Sequence, residues 1–129
     1  MKNAINWFEI PSQNLDRAVP FYERGLGVTL RRETFGGVPH AVFQVEGGDG
    51  AAVSGALVAS PDLRPGAAGA LIYLNAPDGV EACLRRVEAG GGTIVAPTTA
   101  IGPHGWIGIF KDLDGNLIGL HAVTEHGAR

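Results

Sequence analysis

The apolar positions of the chain fall in short runs, some spaced as a strand spaces them and some as a helix does. Ile5-Asn6-Trp7-Phe8-Glu9-Ile10 reads as a strand, and Pro11-Ser12-Gln13-Asn14 stops it. Leu15, Ala18, Val19, Tyr22 and Leu26 then recur at helical spacing, so a helix with one apolar stripe is expected from about Leu15. Asn14 or Ser12 can cap it, and Gly25 and Gly27 punctuate its end. Three strands are predicted next, over Val28–Glu33, His40–Glu46 and Ala52–Ala59. Phe35-Gly36-Gly37 and Gly47-Gly48-Asp49-Gly50 separate them with residues that hairpin turns favour.

The same order of elements then returns. A strand is predicted at Ala70–Asn75, a helix at about Asp78–Ala89, a stop at Gly90-Gly91-Gly92, and strands near Thr93–Ala96, Trp106–Lys111 and Leu117–Ala122. The chain therefore reads as two tandem βαβββ modules, an α+β protein. Between them Ser60-Pro61-Asp62-Leu63-Arg64-Pro65-Gly66 has the composition of a linker. Module one spans about 1–62 and module two about 67–123, within a single domain covering 1–129. Pro39-His40 and Pro103-His104 lie 64 positions apart, as do Gly27 and Gly91, Thr29 and Thr93, and Gly55 and Gly119, which points to duplication.

Composition narrows the functional classes. With 129 residues, 45% apolar and 18% charged, the chain can bury a core of its own. The lone Cys83 excludes an internal disulfide, and no CxxC spacing suggests zinc. No apolar run is long enough to span a bilayer, so no membrane partner is expected and a cytoplasmic location is the natural expectation. A net charge of −3 with scattered Lys and Arg argues against nucleic acid.

Two longer stretches carry a resemblance. Trp7-Phe8-Glu9-Ile10-Pro11, followed by Asn14-Leu15-Asp16-Arg17-Ala18 and Phe21-Tyr22-Glu23, is one; Phe110-Lys111-Asp112-Leu113-Asp114-Gly115-Asn116-Leu117-Ile118-Gly119-Leu120 is the other. Together they resemble the vicinal oxygen chelate superfamily, which includes glyoxalase I, bleomycin-resistance proteins and extradiol dioxygenases. The resemblance implies curved mixed sheets that form a cup for a small molecule, and a homodimer. It also implies metal ligands on the first and last strands of the modules. By position these fall on Trp7, Leu71 and Gly119, which offer no imidazole or carboxylate, so no metal cofactor is expected at that place. A calcium loop beginning at Asp112 is ruled out because its twelfth position is Val123 rather than a bidentate glutamate.

If Trp7 faces the cup, strand alternation turns Glu9 the same way, and Leu117, Gly119 and His121 with it. Glu9 and His121 are then expected to be neighbours and a candidate acid-base pair for lyase or isomerase chemistry. The plainer account is a buried pair that satisfies itself and ties two strands together. Trp7 and Tyr73 would stack on a planar or apolar ligand, with Asn75 beside them. Trp106 is a further candidate ligand contact, although the glycines around it leave its side of the sheet open. His40 and His104 each follow a proline at a strand entrance, where a histidine commonly serves the turn, with a chelate site shared with His121 as the alternative. The segment Thr98–Gly105 reads as a lid or a connection, Cys83 as core, and the tail from Thr124 as frayed. Two functional classes follow: a metal-independent small-molecule binder, and a glyoxalase-like lyase or isomerase.

Overall fold

The computed structural model describes residues 4–46 and 52–127. Module one consists of β1 (Trp7–Pro11), α1 (Leu15–Leu26), β2 (Leu30–Phe35), β3 (Val38–Phe43) and β4 (Ser54–Val58). Module two repeats the order with β5 (Tyr73–Asn75), α2 (Val80–Ala89), β6 (Thr93–Ala100), β7 (Trp106–Lys111) and β8 (Leu117–Ala122). Each module is a four-stranded mixed sheet, in the orders β1-β4-β3-β2 and β5-β8-β7-β6. The βα crossover makes β1 parallel to β4 and β5 parallel to β8, and hairpins make the other pairings antiparallel.

Local chemistry accounts for the boundaries. Asn14 caps α1 by accepting the Arg17 N–H at 3.2 Å, and Gly27 closes it in the left-handed conformation at φ 69°. Gly36 and Gly37, at φ 56° and 76°, form a two-residue turn that pairs Phe35 with Val38. That turn sets the register of module one, placing Glu33 opposite His40. The predicted hairpin residues Gly47 to Gly50 lie outside the described residues.

Each helix covers one face of its own sheet, and α1 also packs on α2. Tyr22, Phe110, Leu57, Leu84 and Leu120 are among the fully buried side chains of this shared core. The turn before β8 clasps the modules together. Buried Asp112 accepts from the Tyr22 hydroxyl at 2.6 Å, from the Asn116 N–H at 2.8 Å and from the Asn116 amide at 3.0 Å. Asn116 in turn donates to the Pro11 carbonyl at 2.7 Å and accepts from the Gly66 N–H at 3.0 Å. Burial, with the Asp112 carboxylate beside it, pushes the Tyr22 phenol well above its ordinary range.

Three expectations are corrected here. Of the two readings of Thr98–Gly105, the lid gives way to the connection: β6 runs on to Ala100 with irregular register against β7, and a single 3₁₀ turn, Gly102–His104, completes the link to β7. The tail is docked as far as Gly127, which is buried against Pro77 and Gly79 before α2. Finally, the offset of 64 does not superpose the modules throughout. Glu9 pairs with Ala56 and Tyr73 with Gly119, so Gly119 corresponds to Ala56, not Gly55. By the same register His121 corresponds to Val58, not Leu57, and Ile107 to His40. The repeated Pro-His pair is therefore not structurally equivalent: His40 lies within β3, whereas His104 lies in the turn before β7.

Candidate functional site

The helices leave the second face of each sheet uncovered. Along β1, Phe8 and Ile10 face the helix core while Trp7 and Glu9 face away from it. Along β8, Ile118, Leu120 and Ala122 enter the core, which turns Leu117, Gly119 and His121 outward with Tyr73 and Asn75. This is the concave face that alternation predicts. Trp7 and Tyr73 are each 44% exposed there and Phe35 46%, a large uncovered aromatic area for a small protein.

Tyr73 lies flat over Gly119, so close that a methyl group at that position would overlap the ring. The glycine therefore serves as the seat of an aromatic wall. It also bears on how a metal ion would fit at the inherited positions. Trp7 points its indole N–H at Glu9, Leu71 has no donor atom, and Gly119 is roofed by Tyr73, so these residues do not fit a divalent ion. Among the described residues no group of three or more His, Cys, Asp or Glu is gathered closely enough to hold one.

The polar centre of the module-one face is Glu9, but its partner is not His121. Trp7 Nε1 donates to Glu9 Oε2 at 3.3 Å, and His40 Nε2 stands 3.7 Å from the same oxygen. His40 Nδ1 lies 2.8 Å from the Val38 carbonyl, an acceptor, so Nδ1 carries the proton and Nε2 meets Glu9. An attractive contact at Nε2 requires a second proton, shared between imidazole and carboxylate or supplied by a donor. Phe35 packs edge-on against the His40 ring with centroids 4.7 Å apart. His40 therefore lies inside β3, two positions beyond its first residue, and not at the strand entrance. The hairpin register around Gly36-Gly37 carried the signal, because a two-residue turn there places His40 in a strand, on the face shared with Glu9.

His121 is held elsewhere. Its Nε2 donates to the His104 carbonyl at 2.7 Å, which leaves Nδ1 as an acceptor on the module-two face beside Asn75. The two halves approach at the seam, where Glu9, Arg64, Ile72 and Leu117 line a cavity of about 220 Å³. Trp106 belongs to neither half. It shares its side of β7 with Gly108 and Phe110 and packs on the helix core, because glycine at 108 lets Val80 and Leu84 of α2 come close. Its expected place as a ligand contact is corrected accordingly.

Cys83 is buried in α2, and burial pushes its thiol up to about 12, against the partial relief given by Arg86. It is core, not a nucleophile.

Comparison with known proteins agrees with this architecture. Residues 4–120 match the model of the glyoxalase/bleomycin resistance protein/dioxygenase superfamily. No curated protein matches the chain in sequence. Among solved structures, a glyoxalase/bleomycin resistance protein from Streptomyces sp. CB03234 is 28% identical with a TM-score of 0.67, covering 90% of this chain and 97% of its own. TnmS3, an antibiotic binding protein from the same organism, is 26% identical with a TM-score of 0.66, covering 97% and 98%. The fosfomycin resistance protein FosX from Listeria monocytogenes shares the fold at 14% identity, with a TM-score of 0.64 and coverage of 94% and 91%. With a family model spanning nearly the whole chain and the same two-module architecture in these structures, the protein belongs to the glyoxalase/bleomycin resistance protein/dioxygenase superfamily.

Proposed function

We propose that this protein binds a planar, largely apolar small molecule on its concave face and does so without a metal ion held at the superfamily's usual positions. The observation that carries the reading is the pair of exposed aromatic walls, Trp7 and Tyr73, on a face whose floor supplies the Glu9 carboxylate. The likeness to an antibiotic binding protein along almost its full length supports the same class of ligand. His121 and Asn75 add an acceptor and an amide on the module-two half. Each half-cup is open in one chain, and pairing of two chains would cover the exposed Trp7, Phe35 and Tyr73; a homodimer is part of the proposal.

A second reading rests on Glu9 and His40. A carboxylate facing an imidazole whose tautomer is fixed by Val38 is the geometry of a proton-transferring pair, suited to lyase or isomerase chemistry. In this reading Glu9 takes the proton and His40, not His121, holds it in place.

One experiment separates the two. A panel of polycyclic aromatic antibiotics is titrated by calorimetry against the protein and its Trp7→Ala and Tyr73→Ala variants, and the mixtures are then analysed by mass spectrometry. Binding predicts saturable association weakened roughly tenfold or more in both variants, with each compound recovered intact. Chemical conversion that disappears in Glu9→Gln would establish the enzyme. Affinity indifferent to both aromatic substitutions would sink the proposed site.

A further inference from the structure

On the side of the molecule away from the cup, a groove of about 680 Å³ runs between α1 and α2. Arg17, Pro20, Phe21 and Arg24 fall three and four residues apart, so they line it as one face of α1. Arg86 and Ala89 come from α2, and Leu113 from the clasp turn. No carboxylate lines this groove, although the chain as a whole carries a net charge of −3. Its volume is in the range of small-molecule pockets.

The guanidiniums are unevenly satisfied. Arg86 is fixed by a two-pronged pair with Asp78 at 2.8 and 2.9 Å and by the Arg24 and Gly25 carbonyls at 3.0 and 3.2 Å. Arg17 donates to the Leu113 carbonyl at 3.2 Å, with Asp114 4.0 Å away. Arg24 pairs with no carboxylate among the described residues. Cations in the last turns of α1 and α2 favour the helix dipole, which accounts for Arg24 and Arg86 in part. Arg17 stands in the first turn of α1, where a cation opposes that dipole, so helix stability does not explain its place.

We propose that this groove is a second small-molecule site, for a monoanion with an apolar body, such as an aromatic carboxylate. The charged group meets Arg24, the guanidinium without a carboxylate partner among the described residues, and the body lies on Pro20, Phe21 and Leu113 toward Arg17. Neither contact involves the concave face, so the two sites stand or fall separately.

The test is amide-resolved NMR titration of the full chain with 1-naphthoate, and in parallel with neutral 1-naphthalenemethanol. Shifts that saturate along residues 17–24 and 86–90, with the neutral probe weaker, are expected. Arg24→Gln should weaken 1-naphthoate roughly fivefold, the scale of one partly exposed ion pair. Ala89→Trp, at an exposed position, should block the groove, while Trp7→Ala leaves the titration unchanged. Equal binding of the neutral probe, shifts confined to β1, β5 and β8, or no saturable binding would each overturn the proposal.

Discussion

At residue scale, Asp112 shows how a motif that suggests ligand chemistry can be spent on structure. In the Asp-x-Asp-Gly-Asn segment the first carboxylate receives the Tyr22 hydroxyl, two backbone N–H groups and the Asn116 amide. Removing it strands several buried donors at once. Asp112→Ala is expected to cost about 3 kcal/mol of stability in urea denaturation, whereas an exposed acid such as Asp16 can be replaced with little change. Cys83 yields a pH prediction. In the unfolded chain a thiol ionises near ~8.5, and the folded chain holds that proton until about 12. The unfolded state therefore releases a proton the folded state keeps, so this group leaves stability unchanged below about pH 8 and lowers it as pH rises further. Thiol labelling at pH 8 should stay slow in the native protein and become fast in denaturant. Glu9 facing the cup was legible from alternation along β1. Its partnership with His40 was not, because it depends on a hairpin register three strands wide, and the attractive pairing with His121 needed both residues on one sheet.

At the scale of elements, the order of strands and helices was readable because apolar spacing and glycine stops repeat in both modules. β7 and β8 have the predicted bounds, while β6 runs four residues further, its irregular register with β7 tolerating Pro97 between the strand residues. The faces were harder. Trp106 is flanked by Gly105 and followed by Gly108, and neither reveals a side; only contact with α2 decides that it points into the core. The single offset of 64 failed for a similar reason. One extra residue between the strands of a module shifts a register without disturbing the order of elements, and it turns each side chain to the opposite face. Arg86 joins the helices by donating to the Arg24 and Gly25 carbonyls at the end of α1, and Asp78, just ahead of α2, steadies its guanidinium; the hydrogen bonds from that guanidinium hold the Asp78 carboxyl below its usual range. A carboxyl with a lowered folded value stabilises above its unfolded value and loses that contribution as pH falls through the folded one. The α1–α2 contact should consequently weaken below about pH 4, read as faster amide exchange at Arg24 and Gly25.

At the scale of the molecule, two modules share one core through their helices and present two open half-cups on the other side. Composition announced a self-sufficient domain, but no feature of the sequence said that the concave faces would stay uncovered in a single chain. If they are covered by pairing, light scattering at micromolar concentration should give twice the mass of one 129-residue chain, and a monodisperse monomer would remove that part of the proposal. The central claim is that a ligand lies on the concave face against Trp7. The chain has two tryptophans, and Trp106 is turned into the core, so Trp106→Phe leaves Trp7 as the only tryptophan, excited selectively at wavelengths where the tyrosines do not absorb. The measurement is fluorescence of that variant titrated with an aromatic antibiotic already shown by calorimetry to bind. Saturable change in Trp7 emission, with the same midpoint as the heat of binding, is the predicted result. Saturating heat with unchanged Trp7 emission would place the ligand elsewhere and contradict the account.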